Sequence, residues 1–437
     1  MKRFFVLFLL ALTVSISAHD WKDQASGTTQ DLQSVSVVTN NIAWICGNGG
    51  TVLLTTDEGV TWQSKGGGSV IGTTNLMNIF GIDAQSALVS ASPETDPVTH
   101  ATTAYVYRTT NAGQSWTKVY TLAGGMINGI FMFDSNRGVL VANPIGGRWS
   151  VWATTNGGAT WDSTGIRLPA GSTTEAGFNN SIYGDAASKT VWFGTNNSRM
   201  YVSTDYGMTW TAKPTAGLTD IHSIYFSGSN GLAAGTGLYI TANGGSTWKA
   251  INTMGSGPIT GILVHDNWDS WMTRLGTANA PDNHIYTAQN FGDSTWKVEY
   301  TAPDSKAYLH MTTARNDEGN VWAVRQGGGI TVGLHAHGET DVKQISGKAP
   351  DNYYLSQNYP NPFNPSTKIN YSVAKEGLVT LKVFNVLGQL VTTLVNEVQR
   401  TGQYEVSFSA ANLTSGIYYY SLEAQGFRQV NKMIYMK

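Results

Sequence analysis

The chain is short of several things that commonly stabilise or anchor proteins. Of its 437 residues only Cys46 is a cysteine, which excludes an intramolecular disulfide. Charged residues make up only 13%, too few to clothe long solvated helices. Between residue 18 and residue 350 there are 24 acidic side chains against 18 basic ones, a balance that argues against a nucleic-acid or anionic-membrane surface. After residue 18 no apolar stretch reaches the roughly 18 to 20 residues of a membrane-spanning helix. A phosphate-cradling loop is missing too: Gly66 to Gly68 follow Lys65 instead of preceding a lysine, and no helical pattern lies behind them.

What the chain does have is 49 Gly, 14 Trp and 20 Tyr, a balance that suits many short strands joined by tight turns and points to an all-β protein. Its first 18 residues carry Lys2 and Arg3, an apolar run from Phe4 to Val14, and then the small residues Ser15, Ser17 and Ala18. That is the layout of a removable export signal, and these residues are excluded from the fold. Cys46, too far from this segment to be a lipidated first residue, reads as a buried small hydrophobe.

A turn of the form Thr/Ser-x-Asx-x-Gly-x-Thr/Ser-Trp recurs. It comprises Thr55 to Trp62 with Asp57 and Gly59, Thr109 to Trp116 with Asn111 and Gly113, and Thr154 to Trp161 with Asn156 and Gly158. Ser203 to Trp210 carries Asp205 and Gly207, and Thr241 to Trp248 carries Asn243 and Gly245. A stretched copy with Asn290 and Gly292 ends at Trp296. The tryptophans are 54, 45, 49, 38 and 48 residues apart, the spacing of four-stranded propeller blades. Ahead of the first turn, Leu32 to Val38, Ile42 to Cys46 and Thr51 to Leu54 read as three strands. An Asp or Asn oxygen accepts bonds from the turn, glycine supplies positive φ, and tryptophan fills the space between blades. Because four of the six copies use Asn, which cannot serve as an ionised base, the row is a scaffold device and not a set of catalytic carboxylates.

These turns resemble the Asp-box (BNR) repeat of sialidases, sortilin-type receptors, xyloglucan-cleaving glycosidases and photosystem assembly factors. The resemblance covers residues 32 to 333 and implies a β-propeller. Tyr308 to Thr312, Asn320 to Arg325 and Gly329 to Val332 supply a seventh blade without the turn motif, and Trp21 marks an outer strand that closes the ring. If the motif joins the third and fourth strands, the loops between second and third strands and between blades gather on the opposite face around the channel, where function is expected. The candidates there are Glu94, Asp96 and His100 (Ser92 to Thr103), Arg148 (Pro144 to Trp149), Glu175 (Asp162 to Gly177), and Asp282 with His284 (Gly276 to His284).

Departures from the enzymatic relatives count against catalysis. Sialidases need an Arg-Ile/Leu-Pro segment ahead of the first turn, whereas Arg167-Leu168-Pro169 follows the third. The xyloglucan-cleaving relatives use two propellers with paired aspartates in the cleft between them, and here there is one. His335-Ala336-His337 could put two imidazoles on one face of a strand, but no third metal ligand is identifiable. No catalytic residue, metal site or cofactor is assigned.

Propeller periodicity stops near Gly347. Past a linker at 348–353, Leu355 to Thr367 sets three prolines among turn formers. Alternating strands follow at Lys368 to Val373, Val379 to Phe384, Tyr404 to Phe408, Gly416 to Leu422 and Gln429 to Tyr435, with turns at Leu387-Gly388-Gln389 and Thr414-Ser415-Gly416, which predicts a small β-sandwich. Tyr359-Pro360-Asn361-Pro362-Phe363-Asn364-Pro365, Val383 to Gly388, Leu413 to Tyr418 and Lys432 to Lys437 resemble the type A C-terminal sorting domain of the type IX secretion system. The resemblance implies recognition by the outer-membrane export machinery through residues 354–437, and a secreted or cell-surface location reached via the periplasm.

The sequence therefore predicts a signal peptide at 1–18, a seven-bladed β-propeller at 19–347 and a β-sandwich at 354–437. The expected role is non-enzymatic binding of a protein or glycan, with extracellular glycoside hydrolysis as the alternative.

Overall fold

The computed structural model describes residues 19–436 apart from 67–69, 97–98, 170, 173, 216, 265–269, 289–290, 315–318, 336–342, 347–349, 387, 389 and 411–412. The signal segment, Gly67, Gly68, Asn290, Ala336 and His337 lie outside the described residues. The chain divides into two compact units, His19–Leu334 and a second that includes everything from His335 onward.

Among the described residues, the first unit contains seven antiparallel sheets of three or four main strands. Blade 1 comprises Leu32–Val37, Ala43–Gly47, Val52–Thr55 and Gln63–Ser64, matching the three expected runs to within a residue or two at their ends. The innermost strands of the next six blades are Leu76–Gly81, Ile127–Met132, Gly177–Asp185, Ile221–Ser227, Ile259–Val264 and Tyr308–Thr313. Each packs on the next, and the last returns to Leu32–Val37, so the sheets form a closed ring. The unit is a β-propeller. Blade 7 takes its outer strand, His19–Gln24, from the start of the chain, beside Ile330–His335. In blade 3 the fourth strand shrinks to a single bridge between Ala153 and Asp162.

The core lies between blades. Trp44, Cys46 and Leu54 of blade 1 share one cluster with Ile79, Val89 and Trp116 of blade 2, and similar clusters fill other seams. Second strands such as Ala43–Gly47 and Val321–Arg325 are buried along their whole length because a blade covers each face. They read as continuous apolar runs for that reason. Cys46 is fully buried, and burial pushes its thiol well above the usual range.

The repeated turn works as a hydrogen-bond relay. Thr55 Oγ1 donates to Asp57 Oδ1 (2.8 Å) and accepts from Gly59 N–H (2.8 Å), while Thr61 donates its N–H and hydroxyl to Asp57 (2.9 and 2.6 Å). Where Asn replaces Asp the last bond reverses: Asn111 Nδ2 donates to Ser115 Oγ at 2.9 Å. A hydroxyl can donate or accept, so either Asx residue closes the relay. In the stretched copy Asp293 makes the two bonds to Thr295. The turn glycine has a second task. Gly158, at φ +78°, lies against Leu88 of the preceding blade, and Gly207, at +84°, against Val139, so a Cβ would meet both strain and a clash. Tryptophan tightens the same seams: Trp116 Nε1 donates to Lys65 O of blade 1 at 2.9 Å, and Trp62 stands edge-on to Trp322 of blade 7.

The second unit is a β-sandwich. One sheet orders Lys343–Ser346, Gly402–Ser409, Ser366–Val373 and Tyr354–Leu355, and the other Leu390–Gln399, Gly377–Phe384, Gly416–Ala424 and Phe427–Tyr435. Lys343–Ser346 therefore pairs within the sandwich, although the sequence reading left it in the propeller span 19–347; its Lys-Gln-Ile-Ser has no apolar run to betray a strand. The proline-rich segment folds onto the last strand. Phe363 exchanges backbone bonds with Ile434 and Met436 (3.0 Å each) and packs on Phe408 and Tyr435. Asn361 Oδ1 accepts Ile434 N–H at 2.9 Å. Two motifs far apart in sequence thus form one structural element. No helix among the described residues is long and apolar enough to cross a membrane.

Candidate functional site

Antiparallel strand order sends the second-to-third-strand loops and the blade connectors to one face of the propeller, opposite the repeated turns. All seven proposed site residues belong to loops or strand ends of that face, but they do not converge. In blade 2, Asp96 Oδ1 caps its own hairpin by accepting Thr99 N–H (2.7 Å), Glu94 accepts from Thr74 Oγ1 (2.9 Å), and His100 takes φ +55° at the tip. Arg148 is exposed at the start of Arg148–Thr154.

Glu175 is a different case. Its buried carboxylate accepts from Arg199 Nε (2.8 Å) and Nη2 (2.5 Å) and from Ser172 N–H (3.2 Å). Burial raises its pKa, but the Arg199 bonds and charge outweigh that and hold it below the usual range. Arg199 in turn lies over the Tyr201 ring, which stacks on Phe193 beside Trp149.

Asp282 and His284 do come together. Asp282 Oδ1 meets His284 Nδ1 at 2.9 Å, and Oδ2 accepts from Tyr286 Oη at 2.8 Å. Burial, then the Asp282 bond, pushes the Tyr286 phenol well above its ordinary range. Beside them Arg274 is buried and donates to Gly257 O (2.6 Å) and to Thr253 Oγ1. Burial lowers the Arg274 pKa, and Tyr286 and Asp282 work against that. Gly255 leaves room for this group, since a Cβ there would meet Tyr286, Arg274 and Asp282.

The adjoining seam holds a cluster that sequence reasoning missed. The Arg325 side chain, 3% exposed, donates Nε to Asp304 (2.9 Å), Nη1 to Asp23 (3.1 Å) and Thr331 Oγ1 (2.6 Å), and Nη2 to Asp23. Thr331 and Tyr300 hydroxyls also donate to Asp23, at 2.6 and 3.2 Å. Burial first, and the Asp23 charge second, push the Tyr300 phenol up to about 12. Asn283 Nδ2 donates to Ala302 O and Asp304 O (2.7 Å each), joining this cluster to the Asp282 group. A cavity of about 660 Å³ opens here, lined by Asp23, Asp304, Arg325, the loop from Gln24 to Thr29 and Gly327 to Gly329. A signal for the arginines did exist. Arg274 and Arg325 end the second strands of blades 6 and 7 at the register position held elsewhere by Gly47, Ala91, Ala142, Thr195 and Gly235.

The channel between the blades is not clear. The innermost strand of blade 4 carries a long bulge after Gly177, and Asn180, at φ +63°, reaches across to two other blades. Its Oδ1 accepts from Ser34 Oγ (2.8 Å) and Asn78 Nδ2 (2.6 Å), and its Nδ2 donates to Gln33 O (2.9 Å). Asn179 Nδ2 donates to Met77 O at 2.7 Å. Asn tolerates this left-handed backbone better than most residues. Arg167, in the Arg-Leu-Pro segment, lies along the blade 4 turn, exchanging backbone bonds with Met208 and Trp210.

Comparison with known proteins fits this geometry. Residues 357–436 match the secretion system C-terminal sorting domain, and residues 201–212 match the BNR/Asp-box repeat. The sorting domain indicates export by the type IX secretion system to the cell surface or extracellular space. No curated protein sequence matches the chain. Among solved structures, YCF48 from Cyanidioschyzon merolae is 17% identical with a TM-score of 0.55, over 72% of this chain and 98% of that one. YCF48 bound to D1 peptide is 14% identical at 0.54, over 72% and 96%. The WD40 β-propeller domain of Doa1 is 11% identical at 0.51, over 73% and 98%. These likenesses are of fold.

Proposed function

We propose that the propeller is a non-enzymatic binding module displayed outside the cell, which takes a protein or glycan ligand on the face opposite its repeated turns. The observation that supports this most is that the buried carboxylates Glu175 and Asp282 and the partly exposed Asp23 on that face are already engaged. Glu175 is held by Arg199, Asp282 by Tyr286 and His284, and Asp23 by Arg325, Thr331 and Tyr300. Glycoside hydrolysis needs one carboxyl to protonate the leaving oxygen and a second to attack or to activate water, about 5 to 9.5 Å away across the substrate. Carboxylates bonded into the wall suit a framework better than that exchange of protons.

The cavity at Asp23, Asp304 and Arg325 is the natural seat for a ligand. Its volume falls within the range of small-ligand sites, and its lining, polar and apolar in nearly equal measure and rich in backbone from Gln24 to Thr29 and Gly327 to Gly329, offers partners for hydroxyl or amide groups. Asp304, the more exposed of the two carboxylates on Arg325, faces solvent with part of its acceptor capacity. That one YCF48 structure holds a D1 peptide is compatible with an extended peptide on the same fold. The test is a glycan array and a peptide array probed with the secreted protein, alongside a panel of glycosidase substrates. Saturable binding weakened by Asp304→Ala, without turnover, is expected. Turnover of any polysaccharide overturns the reading.

A further inference from the structure

The other face of the propeller carries a cavity that the reading above does not use. It occupies about 400 Å³ where the innermost strands of blades 2, 3 and 4 end. Phe80, Phe131, Phe133 and Tyr183 line it, with Phe131 edge-on to both Phe80 (5.6 Å between ring centres) and Phe133 (5.0 Å). Gly184 lets Phe131 lie flush, because a Cβ there would fall 2.4 Å from the ring.

Three aspartates, Asp83, Asp134 and Asp185, complete the lining, one from each blade and each 51 residues from the next. Every one caps its own turn through Oδ1: Asp83 accepts from Gln85 and Ser86 N–H, Asp134 from Asn136 and Arg137 N–H (all 2.7 Å), and Asp185 from Ala187 N–H (2.9 Å), with Asp185 Oδ2 also accepting from Ser188 Oγ (2.5 Å). Such a cap needs only an oxygen acceptor, so Asn would serve. This chain uses Asp and Asn interchangeably in its repeated turns, and blade 1 places Thr39 at the corresponding turn. At the three turns around the cavity the acid is uniform, and its charge is surplus to capping. The same neighbourhood already holds cations on aromatic rings: Arg137 and Lys189 lie 4.9 and 5.4 Å from the centre of Tyr206, whose ring stands on Phe133.

We propose that this cavity receives the side chain of a lysine or arginine from a polypeptide partner, the aliphatic stem and cation meeting the aromatic lining and the charge meeting Asp83, Asp134 and Asp185. An aromatic recess with an anionic rim selects a cation on an apolar stem over a neutral or acidic group. The site is separate from the proposed ligand face and assigns the propeller a second contact, to a basic segment.

The test is calorimetric titration of the full secreted chain at low salt with a capped Gly-Gly-Lys-Gly-Gly peptide, its Nε-acetylated form, and tetramethylammonium. Saturable, salt-sensitive binding of the lysine peptide is expected, with no binding of the acetylated one. The triple variant Asp83→Asn, Asp134→Asn, Asp185→Asn keeps the Oδ1 acceptor of every turn, and the Ser188 hydroxyl, which donates to Asp185 Oδ2, can turn to accept from the new amide. It should therefore unfold at a nearly unchanged temperature, yet weaken binding about tenfold or more. Phe131→Leu should weaken it as well. The proposal is overturned by absent or non-saturable binding, by equal affinity for the acetylated peptide, by indifference to the triple substitution, or by tighter binding of tetramethylammonium, which would point to a small quaternary amine.

Discussion

Replacing Asp23 by alanine should loosen the ring at its closure. Asp23 receives two nitrogens of Arg325 and the hydroxyls of Thr331 and Tyr300, and it belongs to the one strand that reaches blade 7 from the far end of the sequence. Without it a guanidinium 3% exposed keeps one charged partner, Asp304, itself 40% exposed, and the Thr331 hydroxyl. Breaking a buried pair on one side costs roughly 3 to 5 kcal/mol. The surviving Asp304 bond and the partial solvent access of Asp23 reduce this to about 2 to 3 kcal/mol. Detachment of His19–Gln24 is the cheapest response, since its pairing with Ile330–His335, the Trp21 stack on Tyr300 and the Gln24 bonds to Trp62 and Glu58 are then what hold it, so amide exchange should quicken in both segments before the rest of the unit. Thermal unfolding of the secreted protein should shift downward by a few degrees. Adding Arg325→Met should restore part of the loss, because the stranded charge is removed together with its need for a partner. A single substitution within about 0.5 kcal/mol of wild type, or a double variant worse than the two singles combined, would refute the reasoning.

Three further outcomes follow from the geometry. Asp57→Asn should be nearly neutral in thermal unfolding, whereas Asp57→Ala, which removes the acceptor for Thr55 and Thr61, should cost about 1 to 2 kcal/mol; equal losses would sink the relay account. His310 accepts Val35 N–H at 3.2 Å across the seam between blades 7 and 1, and although some of its surface is reachable, enclosure by protein lowers its pKa from 6.5 to about 4. The unfolded chain therefore binds a proton that the folded chain refuses between about pH 6.5 and 4. Stability from this group is complete above 6.5 and declines as pH falls, by at most about 3 kcal/mol. Denaturant titrations at pH 7 and 4.5 should show a smaller acid loss in His310→Gln than in wild type, and parallel losses would contradict it. Deleting residues 355–437 should leave the propeller folded in the periplasm, as read by cell fractionation; normal secretion of the truncation would refute an export role for the sandwich.

The elements legible in the sequence were those whose physics is local. An Asx turn, a positive-φ glycine and an adjacent tryptophan are written in eight consecutive letters, so the blades could be spaced and the strands of blade 1 placed. The two motifs flanking the sandwich were readable for the same reason, although nothing local announced that Phe363 would lie on Tyr435. The site was far less legible. Arg274 and Arg325 hide at the ends of buried apolar runs, and their partners come from other loops or, for Asp23, from the far end of the chain. Loop composition pointed to Glu94, which holds Thr74 of the blade connector, and to Asp96 and His100, which serve their own hairpin, and missed Arg199, Tyr286 and Asp304. A register comparison between blades would have exposed the arginines, because charge replaces Gly, Ala or Thr at one fixed position.

The crossbar at Asn180 changes how the propeller should fail. A ring of sheets that touch only their neighbours behaves like a bent solenoid, able to unzip from its seam one blade at a time. Here blade 4 is tied directly to blades 1 and 2 across the middle, so a ring opened at the blade 7 seam still has a chord holding three of its members in a circle. Fraying can begin at the N-terminal strand, but it should stop short of the braced sector. That sector is the one that carries the aromatic recess, which places the proposed second contact on the stiffest arc of the wheel.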